Sequence, residues 1–316
     1  MTLTVLGLVA GLVLLYLGAE ALVRGASALG LKLGLTPLVI GLTIVAFGTS
    51  APELLVSVQA GLSDQGPMAI GNVVGSNIAN IALILGVAAL VRPLDVKAQV
   101  VQLESPLLIG VSVVLVALLW NGVIGRIEGA ALFTGIVVYT VFSVRMAARE
   151  RQVEVAREYE AALPDASRPL WQYAVATLIG LAVLVVGARL LVGAAVDIAR
   201  AFGLSEALIG LTIVAVGTSL PELAASVVAA AKREGDIAVG NVLGSNLFNI
   251  LCVLGFAALL RPLDADGVSR IDLAVMLGLA VLALPILRTG YRIGRREGAV
   301  LVAIYAGYLA WLGAGA

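Results

Sequence analysis

Long apolar stretches dominate this chain, at 4–23, 36–60, 68–90, 104–120, 127–146, 171–192, 205–230, 237–259, 271–287 and 297–314. A helix needs about 20 mainly apolar residues to cross a hydrocarbon core of about 30 Å. Inside lipid every backbone N–H and C=O must find its partner within the protein, so runs of this length are helices. The expectation is an all-α membrane protein with ten transmembrane helices. Composition agrees: 61% of residues are hydrophobic and 13% charged, against about 45–50% apolar in a soluble domain. The first stretch lacks a basic leader and is followed by further spans, so it reads as a retained helix and not a signal peptide.

Two halves repeat at a constant offset of 169 residues. GLTIVAFGTSAPEL at 41–54 returns as GLTIVAVGTSLPEL at 210–223, and GNVVGSN at 71–77 returns as GNVLGSN at 240–246. Between 41–86 and 210–255, 27 of 46 ungapped positions are identical. The offset also maps Arg92-Pro93-Leu94-Asp95 onto Arg261-Pro262-Leu263-Asp264. The expected organisation is a five-helix repeat over 1–146, a polar linker over 147–170 and a second five-helix repeat over 171–316. Five is odd, so the second repeat enters the membrane from the opposite face. Such inverted repeats are a recurring plan of secondary transporters, with the site near the midplane where the repeats meet.

Orientation follows from Lys and Arg flanking the spans. An external N-terminus leaves only Arg126, Arg189, Arg200, Arg261 and Arg270 of the 20 basic residues outside. Both termini are therefore expected to be extracytoplasmic and the linker cytoplasmic, in a multi-pass protein of the cell (inner) membrane.

An ionisable side chain deep in a membrane helix is a functional candidate by default. Glu53 and Glu222 qualify: each lies about 17 residues into its segment and follows Gly-Thr-Ser-x-Pro. Proline removes a backbone donor and obstructs the preceding turn, which is expected to release carbonyls around Ala46 and Ala215. Thr49 and Glu53 are four apart and share a helix face. Ser76 and Asn80, and Ser245 and Asn249, repeat that spacing beside Gly71, Gly75, Gly240 and Gly244. Asn72 and Asn241 suit either helix–helix hydrogen bonds or support of the site. Glu20 and Arg24, one turn apart near a helix end, suit an interfacial ion pair; Glu20 maps onto Arg189 across the repeat. Carboxylates, hydroxyls, amides and carbonyls are all oxygen donors, and the chain has no histidine. Such a set favours hard cations, calcium or sodium, over soft metals.

At these residues the sequence resembles the sodium/calcium exchanger branch of the calcium/cation antiporter superfamily, prokaryotic type, whose two signature repeats look like 41–86 and 210–255. The resemblance implies antiport of calcium for sodium at Glu53 and Glu222. It also implies ligands at Thr49, Ser50, Ser76 and Asn80 in the first repeat, and at Thr218, Ser219 and Ser245 in the second, with carbonyls at Ala46 and Ala215. Asn249 stands where several relatives carry Asp, so this site has two carboxylates where theirs has three. The resemblance further implies alternating access, with the first and sixth helices sliding over a fixed core. No cofactor is expected beyond the transported Ca2+ and Na+, and the expected partners are inorganic cations and the lipid bilayer, around a monomer.

Other classes fit less well. Formal net charge is zero and no basic run is interleaved with aromatics, so the footprint of nucleic-acid binding is missing. An intramembrane protease using Ser50 or Ser219 has no histidine to activate it, so no enzyme is expected. Cys252 is the single cysteine, so no intrachain disulfide forms. The nearest alternative is a proton-coupled antiporter of calcium or another divalent cation; a passive channel would need no counter-ion.

Overall fold

A computed structural model describes residues 2–150, 169–202, 215–266 and 268–315. Helix α1 (Thr2–Lys32) is followed by the broken pair α2 (Pro37–Thr49) and α3 (Ala51–Leu62), then by α4 (Gly66–Val91). A two-residue strand β1 (Leu94–Asp95) leads to α5 (Val100–Asn121), and β2 (Val123–Ile124) to α6 (Arg126–Glu150). Beyond the linker come α7 (Leu170–Ala201), the short α8 (Ala215–Thr218) and α9 (Leu220–Ala231), and α10 (Gly235–Leu260). Strand β3 (Leu263–Asp264), α11 (Arg270–Arg288), β4 (Arg292–Ile293) and α12 (Arg295–Gly315) complete the chain.

Among the described residues eight helices are long and apolar enough to cross a membrane, or nine when α2 and α3 count as one bent span. The expected segment 205–230 lies partly outside the described residues, as does most of the 147–170 linker; 205–230 contributes α8 and α9. The segment 36–60 breaks at its proline, as the motif leads one to expect: it bends by 47° between α2 and α3, because Pro52 sits in the first turn of α3 and cannot donate back into α2. One expectation is corrected. The first and sixth segments, read as 4–23 and 171–192, extend to Lys32 and Ala201. The extensions RGASALGLK and GAAVDIARA mix small, apolar and charged residues, which ends the apolar run without ending the helix.

Burial separates a core from a shell. The apolar windows of α4 and α10 are 78% and 89% buried, those of α1, α5, α6, α7, α11 and α12 between 17% and 33%. The outer helices turn apolar side chains such as Leu12, Val138 and Leu178 outward, as contact with lipid demands. Helix α2 crosses α10 at backbone distance. A Cβ at Gly240 would lie 2.6 Å from the Leu38 carbonyl, and one at Gly41 2.6 Å from that of Ile237, so only glycine permits this approach.

Helices α1 and α7 lie outside this core, joined along a second glycine seam. Cβ atoms at Gly11 and Gly25 would meet backbone N atoms of Leu191 and Thr177 at 2.7 and 2.9 Å. In return, Cβ atoms at Gly180 and Gly187 would meet those of Leu22 and Leu15 at 2.5 and 2.6 Å. Small residues at such crossings maximise dispersion contact where no hydrophobic force acts between helices. The strands tie the two halves crosswise: β1 pairs with β4 (Leu94 opposite Ile293) and β2 with β3 (Ile124 opposite Leu263). The offset of 169 turns each pair into the other.

Candidate functional site

The breaks in α2–α3 and α8–α9 carry the two glutamates inward. Ser50 and Ser219 both leave helical geometry, with φ/ψ of −84°/8° and −91°/7°. Glu53 and Glu222 thus fall in the first turn of α3 and α9, where free N–H groups and the helix dipole favour a negative charge. Both side chains are buried, at 0% and 1% exposure. The C-terminal end of α2, with the opposite partial charge, points toward the same region.

Each carboxylate is held by the serine of the other half. Ser50 Oγ donates to Glu222 Oε1 at 2.8 Å, and Ser219 Oγ to Glu53 Oε1 at 3.3 Å. The Ser219 hydroxyl also lies 3.3 Å from that of Ser76. The second oxygen of each carboxylate, Oε2, is buried without a hydrogen-bond partner among the described residues, as are Ser245 Oγ, Asn80 Oδ1 and Asn249 Oδ1. Five buried acceptors left open in one protein interior are costly unless a donor or cation satisfies them.

Asn80 and Asn249 each open a π-helical stretch, Asn80–Ile84 and Asn249–Leu254, the widened turn that recurs at functional sites. Their amide NH2 groups are tied down, Asn80 to Asn246 Oδ1 at 3.0 Å and Asn249 to Asn77 Oδ1 at 3.1 Å, which leaves their carbonyl oxygens as the open ends. Asn77 and Asn246 were missed as functional residues, although they close the repeated GSN triplets and could have been found there.

The Asn72 and Asn241 alternatives merge. Asn72 Nδ2 donates to the Glu53 carbonyl at 3.4 Å and to Ser57 Oγ at 3.0 Å. Asn241 Nδ2 does so to the Glu222 carbonyl at 3.2 Å and Ser226 Oγ at 2.9 Å. Both are helix–helix bonds that brace a glutamate-bearing turn. Thr49 Oγ1 lies 3.2 Å from Asn241 Oδ1 and 3.1 Å from the Val45 carbonyl.

The release of the Ala46 carbonyl is corrected. It accepts the Ser50 N–H at 3.0 Å and lies 3.3 Å from the Thr49 hydroxyl, because the carbonyl that loses its amide donor to Pro52 is that of Gly48, four residues before the proline. In the second half Ser219 N–H turns instead to the Val216 carbonyl at 3.1 Å, beside Ala215. Gly210 to Val214 of the second motif lie outside the described residues. The Glu20–Arg24 ion pair is present at 2.6 Å, but Glu20 also holds Lys232 at 2.7 Å, a partner that helical spacing could not reveal.

A cleft of about 740 Å³ opens between α3, α7 and the α8–α9 break. Leu62, Ser63, Arg189 and Gly193 line it together with Thr218 and with Pro52 and Pro221, which precede the two glutamates in the chain. Among the described residues no three His, Cys, Asp or Glu side chains gather into a metal cluster. The buried donors are two carboxylates surrounded by neutral oxygens.

Apolar helices packed around an interior oxygen cluster define a multi-pass membrane protein with a polar site at its heart. The model of the family described as "Sodium/calcium exchanger protein" matches residues 3–145 and 172–314, and the chain belongs to that family. It is therefore a membrane transporter working by cation antiport, not an enzyme. It is 41% identical over 317 residues to the inner membrane protein YrbG of Escherichia coli, covering 96% of this chain and 94% of that one. It is 34% identical over 342 residues to the sodium/calcium exchanger MaX1 of Methanosarcina acetivorans, covering 98% of each. The solved structure of the sodium-calcium exchanger NCX_Mj without Na+ and Ca2+ superposes with a TM-score of 0.83 at 31% identity, covering 98% of this chain and 99% of that one.

Proposed function

We propose that the protein exchanges calcium for sodium, binding both at Glu53 and Glu222 and exposing the site to the two sides of the membrane in turn. The observation that carries this reading is the crosswise grip: each carboxylate gives one oxygen to the opposite repeat's serine and keeps the other open. Two ionised carboxylates balance one divalent charge or two monovalent ones. Ser50, Ser76, Asn80, Ser219, Ser245 and Asn249 supply neutral oxygens, with Thr49, Thr218, the Ala215 carbonyl and the Ala46 carbonyl completing the set, the last while still accepting the Ser50 N–H, since a carbonyl oxygen has two lone pairs. Calcium accepts six to eight oxygens in adaptable geometry, which a flexible, mixed set of this kind can meet.

Ten spans in two inverted repeats, over 1–146 and 171–316, belong to the same reading. Their support is that, among the described residues, the strand pairs and ion pairs between connections join those assigned to one face. The cytoplasmic assignments are linked by β1–β4 and by Lys97–Asp236 at 2.9 Å. The external ones are linked by β2–β3 and by Arg261–Asp64 at 2.5 Å. Both termini are then external, and the cleft at Ser63 and Arg189 opens outward. The test is calcium uptake into proteoliposomes under an outward sodium gradient with no pH gradient. Sodium-driven uptake is expected; uptake that follows only a proton gradient would make the protein a proton-coupled antiporter, and flux without counter-ion a channel.

A further inference from the structure

Three positions on and beside the α1–α7 pair are treated differently on the two faces. Under the offset of 169, Glu20 maps onto Arg189, Arg24 onto Gly193 and Lys232 onto Ser63. On one face Glu20 Oε1 accepts Lys232 Nζ at 2.7 Å, from the turn after α9, and Arg24 at 2.6 Å within α1. On the other face Ser63, Arg189 and Gly193 line the open cleft, and Arg189 has no ion-pair partner among the described residues. Equivalent sites are thus closed by a charge pair on one side and parted on the other.

Lys232 and Glu20 side chains are 26% and 21% exposed, so their attraction is less screened than that of a surface pair. Arg24, at 72%, faces solvent and adds charge without bridging elements. The glycine seam leaves no room to slide α1 past α7, which makes them one packed unit. Among the described residues Glu20–Lys232 is the ion pair that ties this unit to the core.

We infer that Glu20 and Lys232 form a one-sided latch: their ion pair holds the inner face closed and biases the transporter toward its outward-open state. Among the described residues no acid pairs with Arg189 across the outer cleft; Ser63, in the place of Lys232, offers it a hydroxyl only. The inference rests on the alternating access proposed above, carried by α1 and α7 as the resemblance implies for the first and sixth segments, but not on the identity of the ions.

The test uses the full chain in sealed proteoliposomes with Cys252→Ala, and two single-cysteine reporters related by the repeat. Val192→Cys lies on the outer cleft; Val23→Cys is 1% exposed and opens only when the inner face does. Membrane-impermeant maleimide is applied from each side without sodium or calcium. Glu20→Gln and Lys232→Gln are each expected to lower the outer-to-inner labelling ratio about fivefold, the upper range for a partly exposed pair. The swap Glu20→Lys with Lys232→Glu is expected to restore it. An unchanged ratio in both single variants, a swap that fails to restore it, or a Val23→Cys reporter silent in every variant overturns the latch. A shifted ratio in a protein without sodium-driven uptake leaves the latch standing and removes the proposed ion pair of substrates instead.

Discussion

Replacing Glu53 by Gln removes one charge from the site and little else. Gln keeps an Oε1 that can accept the Ser219 hydroxyl at the 3.3 Å seen for Glu53, so the fold is expected to survive. The carboxylate is fully buried, where an effective dielectric constant of about 20 gives about 4 kcal/mol for two unit charges about 4 Å apart. A divalent ion loses twice that, about 8 kcal/mol, and a monovalent ion about 4. Much of this is offset, because a neutral amide need not be desolvated as an ion. If only a quarter remains, calcium binding weakens by about 2 kcal/mol, or about 30-fold, and sodium binding by about the square root of that factor. Titration calorimetry in detergent reads both affinities, radiolabelled calcium uptake reads exchange, and size-exclusion profiles check folding. A folded Glu53→Gln variant that exchanges calcium at the unsubstituted rate, or that loses sodium binding more than calcium binding, would refute the reasoning. Glu222→Gln should behave alike, its charge held in mirror fashion by Ser50.

Other consequences follow from the same geometry. Asn241→Ala leaves Ser226 and the Glu222 carbonyl without their donor and should destabilise the protein by about 1–3 kcal/mol; Asn72→Ala, at a position less buried than that of Asn241, should cost less, and equal thermal midpoints for the two would count against this. Gly180→Leu drives a side chain into the Leu22 backbone and should abolish folded protein, whereas Gly110→Ala, with open space around it, should raise stability by about 0.5–1 kcal/mol; thermal melts compare them. In the turn before α10, burial first and then the charge of Asp236 hold the Glu234 carboxyl above the usual carboxylate range, against the lowering effect of Lys232. A raised folded-state pKa means that the native protein binds more protons than the unfolded chain, so this contribution is present at low pH and lost as pH rises through the folded value. Glu234→Gln should therefore gain stability over the unsubstituted protein as pH is raised above the ordinary carboxylate range; a difference that stays constant with pH would contradict it.

Much of the candidate site was legible in the residues because a duplication prints each candidate position twice. Glu53 and Glu222 stood out as charges inside apolar runs, and the repeated Gly-Thr-Ser-x-Pro predicted a broken helix at each. Thr49, Ser76 and Asn80 followed from spacing of four along a helix. Sequence reasoning misplaced the freed carbonyl, which depends on the details of one distorted turn. It passed over Asn77 and Asn246, whose role is to hold the amide groups of Asn249 and Asn80 across the dimer-like interface of the repeats.

The amino-acid sequence by itself determined the solvent, the helical repertoire and the symmetry. Apolar length, proline position and the constant offset are local or additive properties that survive without a fold. Only the tertiary structure decided who meets whom. Ser50 reaches Glu222 across 172 residues and Lys232 reaches Glu20 across 212, distances over which no periodicity carries information. Those meetings arise because Gly41 and Gly240, and the glycines between α1 and α7, let backbones approach closely enough to set the register of everything they carry. The same packing made the two halves unequal, parting Arg189 from the opposite wall of a cleft while closing Glu20 on Lys232.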